Sequence, residues 1–160
     1  MIIRKAKMND LDEITAVEKI CFPPSEAATR ESFEKRLEAF ADSFLIAEED
    51  GKIVGFVNGC ITDEKVISDE MFVDTTLHNP NGGYQAIFGL VVIPGYRGKG
   101  TAKELMNELI GRTKACGKKG LILTCKEHLT GFYSAFGYKN LGVSGSNHGG
   151  AVWYDMILEF

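Results

Sequence analysis

The densest chemical signal in the chain is Val91-Val92-Ile93-Pro94-Gly95-Tyr96-Arg97-Gly98-Lys99-Gly100-Thr101-Ala102. An apolar strand runs into a glycine-rich turn, and the turn opens an amphipathic helix. The first N–H groups of a helix lack internal acceptors, and the positive end of the helix dipole lies beside them, so such a turn suits an anion. Gly98 and Gly100 remove side chains where a phosphate must approach the backbone, while Arg97 and Lys99 add positive charge. A phosphate-bearing ligand is expected here. Two common phosphate motifs fail. A P-loop needs lysine directly after its second glycine; this chain has Thr101 there, and Lys99 on the wrong side of Gly100. The dinucleotide fingerprint needs a third glycine where Lys103 stands, and a βαβ unit near the N-terminus that the sequence does not offer.

Arg97-x-x-Gly100-x-Ala102 does fit a known pattern, the (Gln/Arg)-x-x-Gly-x-(Gly/Ala) signature of the GCN5-related N-acetyltransferase (GNAT) superfamily. Phe132-Tyr133-Ser134-Ala135-Phe136-Gly137-Tyr138 resembles that superfamily's Phe-Tyr-x-x-x-Gly-Phe/Tyr segment, and the resemblance runs from the first strand to the last. Cys21-Phe22-Pro23-Pro24-Ser25-Glu26-Ala27-Ala28-Thr29 and Ser146-Asn147-His148-Gly149-Gly150-Ala151-Val152-Trp153-Tyr154 look like the arylalkylamine (serotonin-type) branch and its bacterial relatives.

The resemblance implies transfer of an acetyl group from acetyl-CoA, as co-substrate, to a primary amine by direct attack in a ternary complex, with no metal. Main-chain groups of Leu90, Val91 and Val92 would pair with the pantetheine arm. Arg97, Gly98, Lys99, Gly100, Thr101, Ala102 and Lys103 would hold the pyrophosphate. Tyr133 stands where the superfamily has its general acid, and a phenol near pKa ~10 can protonate a leaving thiolate near ~8.5. An alkylamine with a pKa of about 10.4 is almost wholly protonated at neutral pH, so the reaction needs a base. The vertebrate enzymes of the branch place two histidines on the strand before the turn, where this chain has Ala86 and Phe88. His148, among glycines, is the replacement candidate. The segment Cys21–Ala28 is expected to form a lid over the acceptor pocket, stiffened by Pro23 and Pro24, with Phe22, Phe88, Trp153 and Tyr154 suited to line it. His78 and His128 belong to no motif and are expected at the surface, while Asp74 and Glu48 are candidates for a water chain. Two other functions stay open at this point: a non-catalytic acyl-CoA-binding module, and a protein N-terminal or lysine acetyltransferase.

Composition sets the frame around these residues. The chain has 160 residues, 44% hydrophobic and 25% charged, which suits one globular domain. A net charge of −4 argues against nucleic-acid or membrane partners; the small-molecule amine is what the resemblance implies, with a homodimer as an open assembly. Without an apolar run of spanning length or a secretory leader, the expected location is cytoplasmic. Cys21, Cys60, Cys116 and Cys125 form no C-x₂-C pair, so no metal is expected, and Cys60 and Cys125 read as small core hydrophobes.

The elements that must position the chemistry can be read from periodicity. Ile2–Lys5 is a strand; a helix capped by Asn9 follows and ends at Cys21-Phe22-Pro23-Pro24. A second helix follows Thr29, with Phe33, Leu37 and Phe40 on one face. Phe44–Glu49 and Ile53–Ile61 form a hairpin around Glu49-Asp50-Gly51-Lys52. Residues 62–83 are polar and irregular, an insertion or loop. Tyr84–Ile93 reads as one doubly covered strand. A long helix carries Ala102, Leu105, Met106, Leu109 and Ile110 on one stripe. Strand Leu121–Cys125, a short helix around Leu129–Phe136 stopped by Gly137, and a last strand Ala151–Phe160 complete the chain. The expected fold is mixed α/β (α+β), a single GNAT-type domain over residues 1–160. Its central mixed, mostly antiparallel sheet would have about six to seven strands, splayed at the acetyl-CoA site and flanked by about four helices.

Overall fold

The computed structural model describes residues 1–160. In chain order the elements are β1 (Ile2–Lys5), α1 (Leu11–Cys21), α2 (Arg30–Phe40), β2 (Phe44–Glu49), β3 (Lys52–Asn58), β4 (Ile61–Thr62), α3 (Asp69–Val73), β5 (Tyr84–Ile87), β6 (Gly89–Val92), α4 (Thr101–Ala115), β7 (Gly120–Cys125), α5 (Thr130–Ser134), β8 (Lys139–Val143) and β9 (Tyr154–Glu159). The class is the expected mixed α/β, with five helices. The strands form two sheets, a four-stranded one in the order β1-β2-β3-β6 and a five-stranded one in the order β4-β5-β7-β9-β8. All pairings are antiparallel except β5 with β7.

The division between the sheets corrects the expectation of single strands over 53–61 and 84–93. Both runs break at the same level, and their halves go to different sheets. Phe88 interrupts the second run; its N–H reaches the Asn58 carbonyl at 2.7 Å while Gly89 pairs opposite Asn58. The crossing needs close backbone contact: a Cβ at Gly59 would collide with the Ala86 carbonyl. Gln85 bolts the crossing from within, its buried amide lying 2.9 Å from the Gly59 carbonyl and 2.8 Å from that of Ala86. Beyond this point β6 stays with β3, β7 stays with β9, and a cleft opens between them.

Helix boundaries follow local chemistry. The α1 helix starts after a short 3-10 turn, and Asp10, rather than Asn9, holds the entry by accepting the Lys7 N–H at 2.8 Å. Arg4 clamps that carboxylate and Glu48 of β2. Thr29 caps α2 through the Ser32 N–H at 3.1 Å. Phe33, with Phe44 and Phe56 at 6.0 and 5.6 Å, forms an aromatic knot in the main core. On α4, Leu105, Met106 and Leu109 are buried as the stripe required, while Ala102 and Ile110 are half-exposed.

Three other elements differ from expectation. The polar stretch 62–83 contains α3, whose Met71 joins a second core cluster with Ile67, Tyr84 and Ile122. The β8 strand is mostly exposed and pairs with β9 alone, so no hydrophobic alternation announced it. The last strand is shorter than expected, because 151–153 form no ladder. No helix is long and apolar enough to cross a membrane.

Candidate active site

The turn before α4 presents bare backbone. Gly98 and Gly100 have φ of 76° and 85°, the left-handed region that favours glycine, and a Cβ on either would meet nothing within 4 Å. From Gly98 to Lys103, none of the six N–H groups has an acceptor in the protein; the first helical bond is Glu104 N–H to the Gly100 carbonyl at 3.0 Å. Six outward donors at the positive end of a fifteen-residue helix form a cradle for a diphosphate. The Arg97 side chain is committed elsewhere, its Nε donating to the Val92 carbonyl at 2.8 Å, and the Lys99 ammonium sits 5.2 Å over the Tyr96 ring.

From the cradle a cleft of about 620 Å³ runs along the open edge of β6. Leu90, Val91, Val92, Arg97, Gly98, Gly100, Thr101, Ala102 and Lys103 line it; Lys99 does not. Strand alternation sorts the β6 main chain. Ile93 N–H donates to the Val54 carbonyl of β3, so Val91, two residues earlier and opposite Phe56, also faces β3. Leu90 and the Val92 N–H are left on the cleft side, and the Val92 carbonyl is already taken by Arg97 and by the Cys21 thiol at 3.6 Å. The expectation for Val91 main-chain pairing therefore does not fit, and that for Val92 is reduced to its N–H.

Tyr133 lies at the deep side of this cleft, buried, with Phe132 and Tyr138 packed on its ring at 5.1 and 5.9 Å. Its hydroxyl has no hydrogen-bond partner in the protein. Burial, with a smaller contribution from Cys125, pushes the phenol well above its ordinary value, so it carries its proton throughout the physiological range.

A second cavity of about 190 Å³ adjoins the first, and Phe22, Glu26 and Trp153 line both. Phe88 and half-buried His148 face the smaller one. Pro23 borders only the larger cleft, Pro24 is exposed and lines neither, and Tyr154 lines neither. His148 stacks on Phe72 of α3 at 5.3 Å, nearly parallel, and its Nε2 lies 3.1 Å from the Glu26 carbonyl. A carbonyl only accepts, so Nε2 carries the hydrogen and Nδ1 is the nitrogen with a free lone pair. Asp69 of α3 holds the His148 loop, accepting from the Ser146 hydroxyl and from the Asn147 N–H at 3.4 Å. The 62–83 stretch is thus a wall of this pocket.

Two functional candidates were not foreseen. Glu18 of α1 and Arg36 of α2 are both buried and both line the small cavity. Glu18 Oε2 accepts the Ala28 N–H at 2.9 Å. Burial pushes its carboxyl up, against the opposing pull of that bond and of the Arg36 and His148 charges. The signal was available: Glu18 falls on the apolar face with Leu11 and Ile14, and Arg36 with Phe33 and Phe40, where a solvated charge has no place.

Of the remaining histidines, His128 is at the surface as expected and His78 is not. His78 is structural, its Nδ1 accepting the Ile61 N–H at 3.0 Å, and exposed His128 borders the large cleft. Asp74 is tied to Thr76 and Glu48 to Arg4, away from both cavities. No cluster of three or more His, Cys, Asp or Glu side chains has the arrangement of a metal site.

Residues 10–138 match the family described as Acetyltransferase (GNAT) family. A Bacillus subtilis (strain 168) protein named Probable hydrolase YhcX is 32% identical over 106 residues, covering 61% of this chain. The match spans only 20% of that curated relative. Among solved structures, the GphF GNAT-like decarboxylase in complex with isobutyryl-CoA superposes with a TM-score of 0.83 at 18% identity over 99% of both chains. The PaiA N-acetyltransferase of Thermoplasma acidophilum in complex with coenzyme A gives 0.73 at 18% identity, over 99% of this chain and 98% of its own. Likeness at such identity speaks to the fold.

Proposed function

Because the chain belongs to the GNAT acetyltransferase family, we propose that it transfers an acetyl group from acetyl-CoA to a primary amine, the amine seated in the smaller cavity. The observation that carries this reading is the run of six unpaired N–H groups, Gly98 to Lys103, opening onto a cleft that leads to Tyr133 and meets a second pocket. The cradle fits a diphosphate in donor type, in charge and in the empty space above both glycines. When bound, acetyl-CoA supplies a thioester, whose acyl carbon accepts a nitrogen nucleophile and whose sulfur departs as thiolate.

The chain's own residues do the rest. The amides of Gly98 through Lys103 hold the diphosphate, and Arg97 fixes the turn by anchoring to Val92. The Leu90 main chain and the Val92 N–H, on the open edge, pair with the amide-bearing arm. Phe22, at the junction of the two cavities, keeps water from the reacting centre. His148 Nδ1 takes one proton from the amine, without which the nitrogen has no lone pair to offer. The C–N bond forms as the C–S bond breaks, and the Tyr133 hydroxyl gives its proton to the sulfur. The nitrogen's second proton restores the Tyr133 phenol, so that an amide, a free thiol and one proton on His148, released to solvent, remain. A phenol pushed this high is a reluctant acid, but it is always loaded, and the thiolate formed beside it in a dry cleft is a strong acceptor. Phe72, Phe88 and Trp153 in the acceptor cavity support an amine with an apolar body, the arylalkylamine class among them.

The test is release of free thiol from acetyl-CoA over a panel of primary amines, with product mass confirmed. Amine-dependent thiol release with an N-acetyl product is expected. Saturable CoA binding with no turnover on any amine contradicts the enzymatic reading and leaves a binding module.

A further inference from the structure

The smaller cavity holds two side chains of opposite charge that are not paired with each other. Arg36 is 5% exposed and makes no ion pair. Its terminal nitrogens donate to neutral acceptors only, Asn58 Oδ1 at 3.1 Å and the Phe72 carbonyl at 3.0 Å, and Nε has no acceptor at all. The rings of Phe33 and Phe88 cover the guanidinium at 5.3 and 4.9 Å. Neutral acceptors and aromatic faces leave the charge itself uncompensated, and a buried cation in that condition calls for an anion. Burial has already drawn the group down to about 10.

Glu18 is the complement. It is 6% exposed, and its Oε1 has no protein donor once Oε2 has taken the Ala28 N–H. The two charges are near enough to act on each other, yet the side chains do not close into a bridge, although both face the same space. Arg36 is held back by Asn58 and Phe72, and Glu18 by Ala28. Two opposite charges kept apart on one cavity wall match the two ends of a zwitterion.

We propose that the acceptor is an amine that also carries a carboxylate, an amino acid in the broad sense, whose carboxylate meets Arg36 and whose ammonium meets Glu18. The inference rests on the amine-acetyltransferase reading above and narrows it. The cavity, about 190 Å³, restricts the molecule to a small one. The arrangement also gives a reason for product release. Acetylation leaves the nitrogen without positive charge, so Glu18 loses its partner and the product is held at one end only.

The test compares matched acceptors on the intact chain: alanine, 4-aminobutanoate and phenylalanine, each beside its carboxamide and beside ethylamine, n-propylamine or phenethylamine respectively. In at least one series the carboxylate is expected to show kcat/KM at least tenfold above both partners. Equal or lower values for the carboxylates in all three series overturn the proposal while leaving amine acetylation standing. Arg36→Gln is expected to erase the preference for the carboxylate without changing the affinity for CoA; a preference that survives in a folded variant overturns it too. Should Arg36→Gln fail to fold, the wild-type series decides alone. If no amine yields thiol, the function reading has failed, and calorimetry of the same nine compounds without acetyl-CoA decides the recognition claim separately. Tighter binding of a carboxylate than of its amide and alkylamine sustains the claim, and its absence overturns it.

Discussion

The large cleft and the small cavity are built from different materials. The cleft offers its polar groups largely from the main chain: the open edge of β6, a turn with two left-handed glycines and the first turn of a helix. The cavity is lined from α1, the connector after it, α2, α3, Phe88, β7 and the His148 loop, segments spread over most of the sequence. A main-chain site recognises what every acyl-CoA has in common, its diphosphate and its amide-bearing arm. A side-chain pocket recognises what differs among acceptors. The comparison teaches that the donor half is tied to the fold, whereas the acceptor half rests on a few exchangeable residues.

The first way to break this comparison is to alter the cradle. Gly100→Glu places a negative charge where the diphosphate belongs, on a left-handed residue, and is expected to weaken CoA binding by about a thousandfold, roughly 4 kcal/mol, in calorimetry. Affinity within threefold of wild type would remove the diphosphate from that turn. Tyr133→Phe is expected to lower kcat about a hundredfold with acetyl-CoA affinity unchanged, the range for losing a general acid; unchanged turnover takes the phenol out of the chemistry. His148→Asn is expected to cost about tenfold to a hundredfold in kcat with CoA affinity unchanged. A loss confined to the amine KM would point to a packing role against Phe72.

Smaller effects sharpen the division. Asp69→Asn loosens the loop that carries His148, so the amine KM is expected to rise roughly fivefold while CoA affinity stays put. A matching loss of CoA affinity would mean that the two regions are one unit. Glu18→Gln has a signed consequence for stability. The folded protein raises this carboxyl above its unfolded value, so its favourable contribution is full at acid pH and declines as pH rises through the folded value. The Gln variant, which has no charge to bury, is expected to gain on wild type in thermal midpoint as pH is raised from acid toward neutral. A constant difference across that range would contradict the burial argument.

The same division accounts for what could be read from the sequence. The cradle is local: glycines, strand and helix lie within about a dozen positions, so spacing alone exposed it. The resemblance implied a splay, but periodicity hid where it falls: Tyr84–Ile93 is apolar almost throughout, and the break at Phe88 depends on the close approach of Gly59 and on Gln85, whose amide reaches across to the Gly59 carbonyl. Pro24 sat inside a suggestive motif yet points away from both cavities, since a motif marks a segment and not which of its side chains face inward. Glu18 and Arg36 are single charges in the sequence, and only the docking of α1 and α2 buries them beside one cavity. Their place on apolar stripes was the only forewarning.

If the backbone N–H groups from Gly98 to Lys103 hold the diphosphate of an acyl-CoA, they must respond when it binds. A ¹H–¹⁵N correlation titration of the labelled chain with CoA addresses those groups one by one. The largest shifts are expected at these six amides, whereas pantetheine, which lacks the diphosphate and the nucleotide, should shift residues along β6 and leave the turn unchanged. Saturable binding that leaves all six amides in place would contradict the claim.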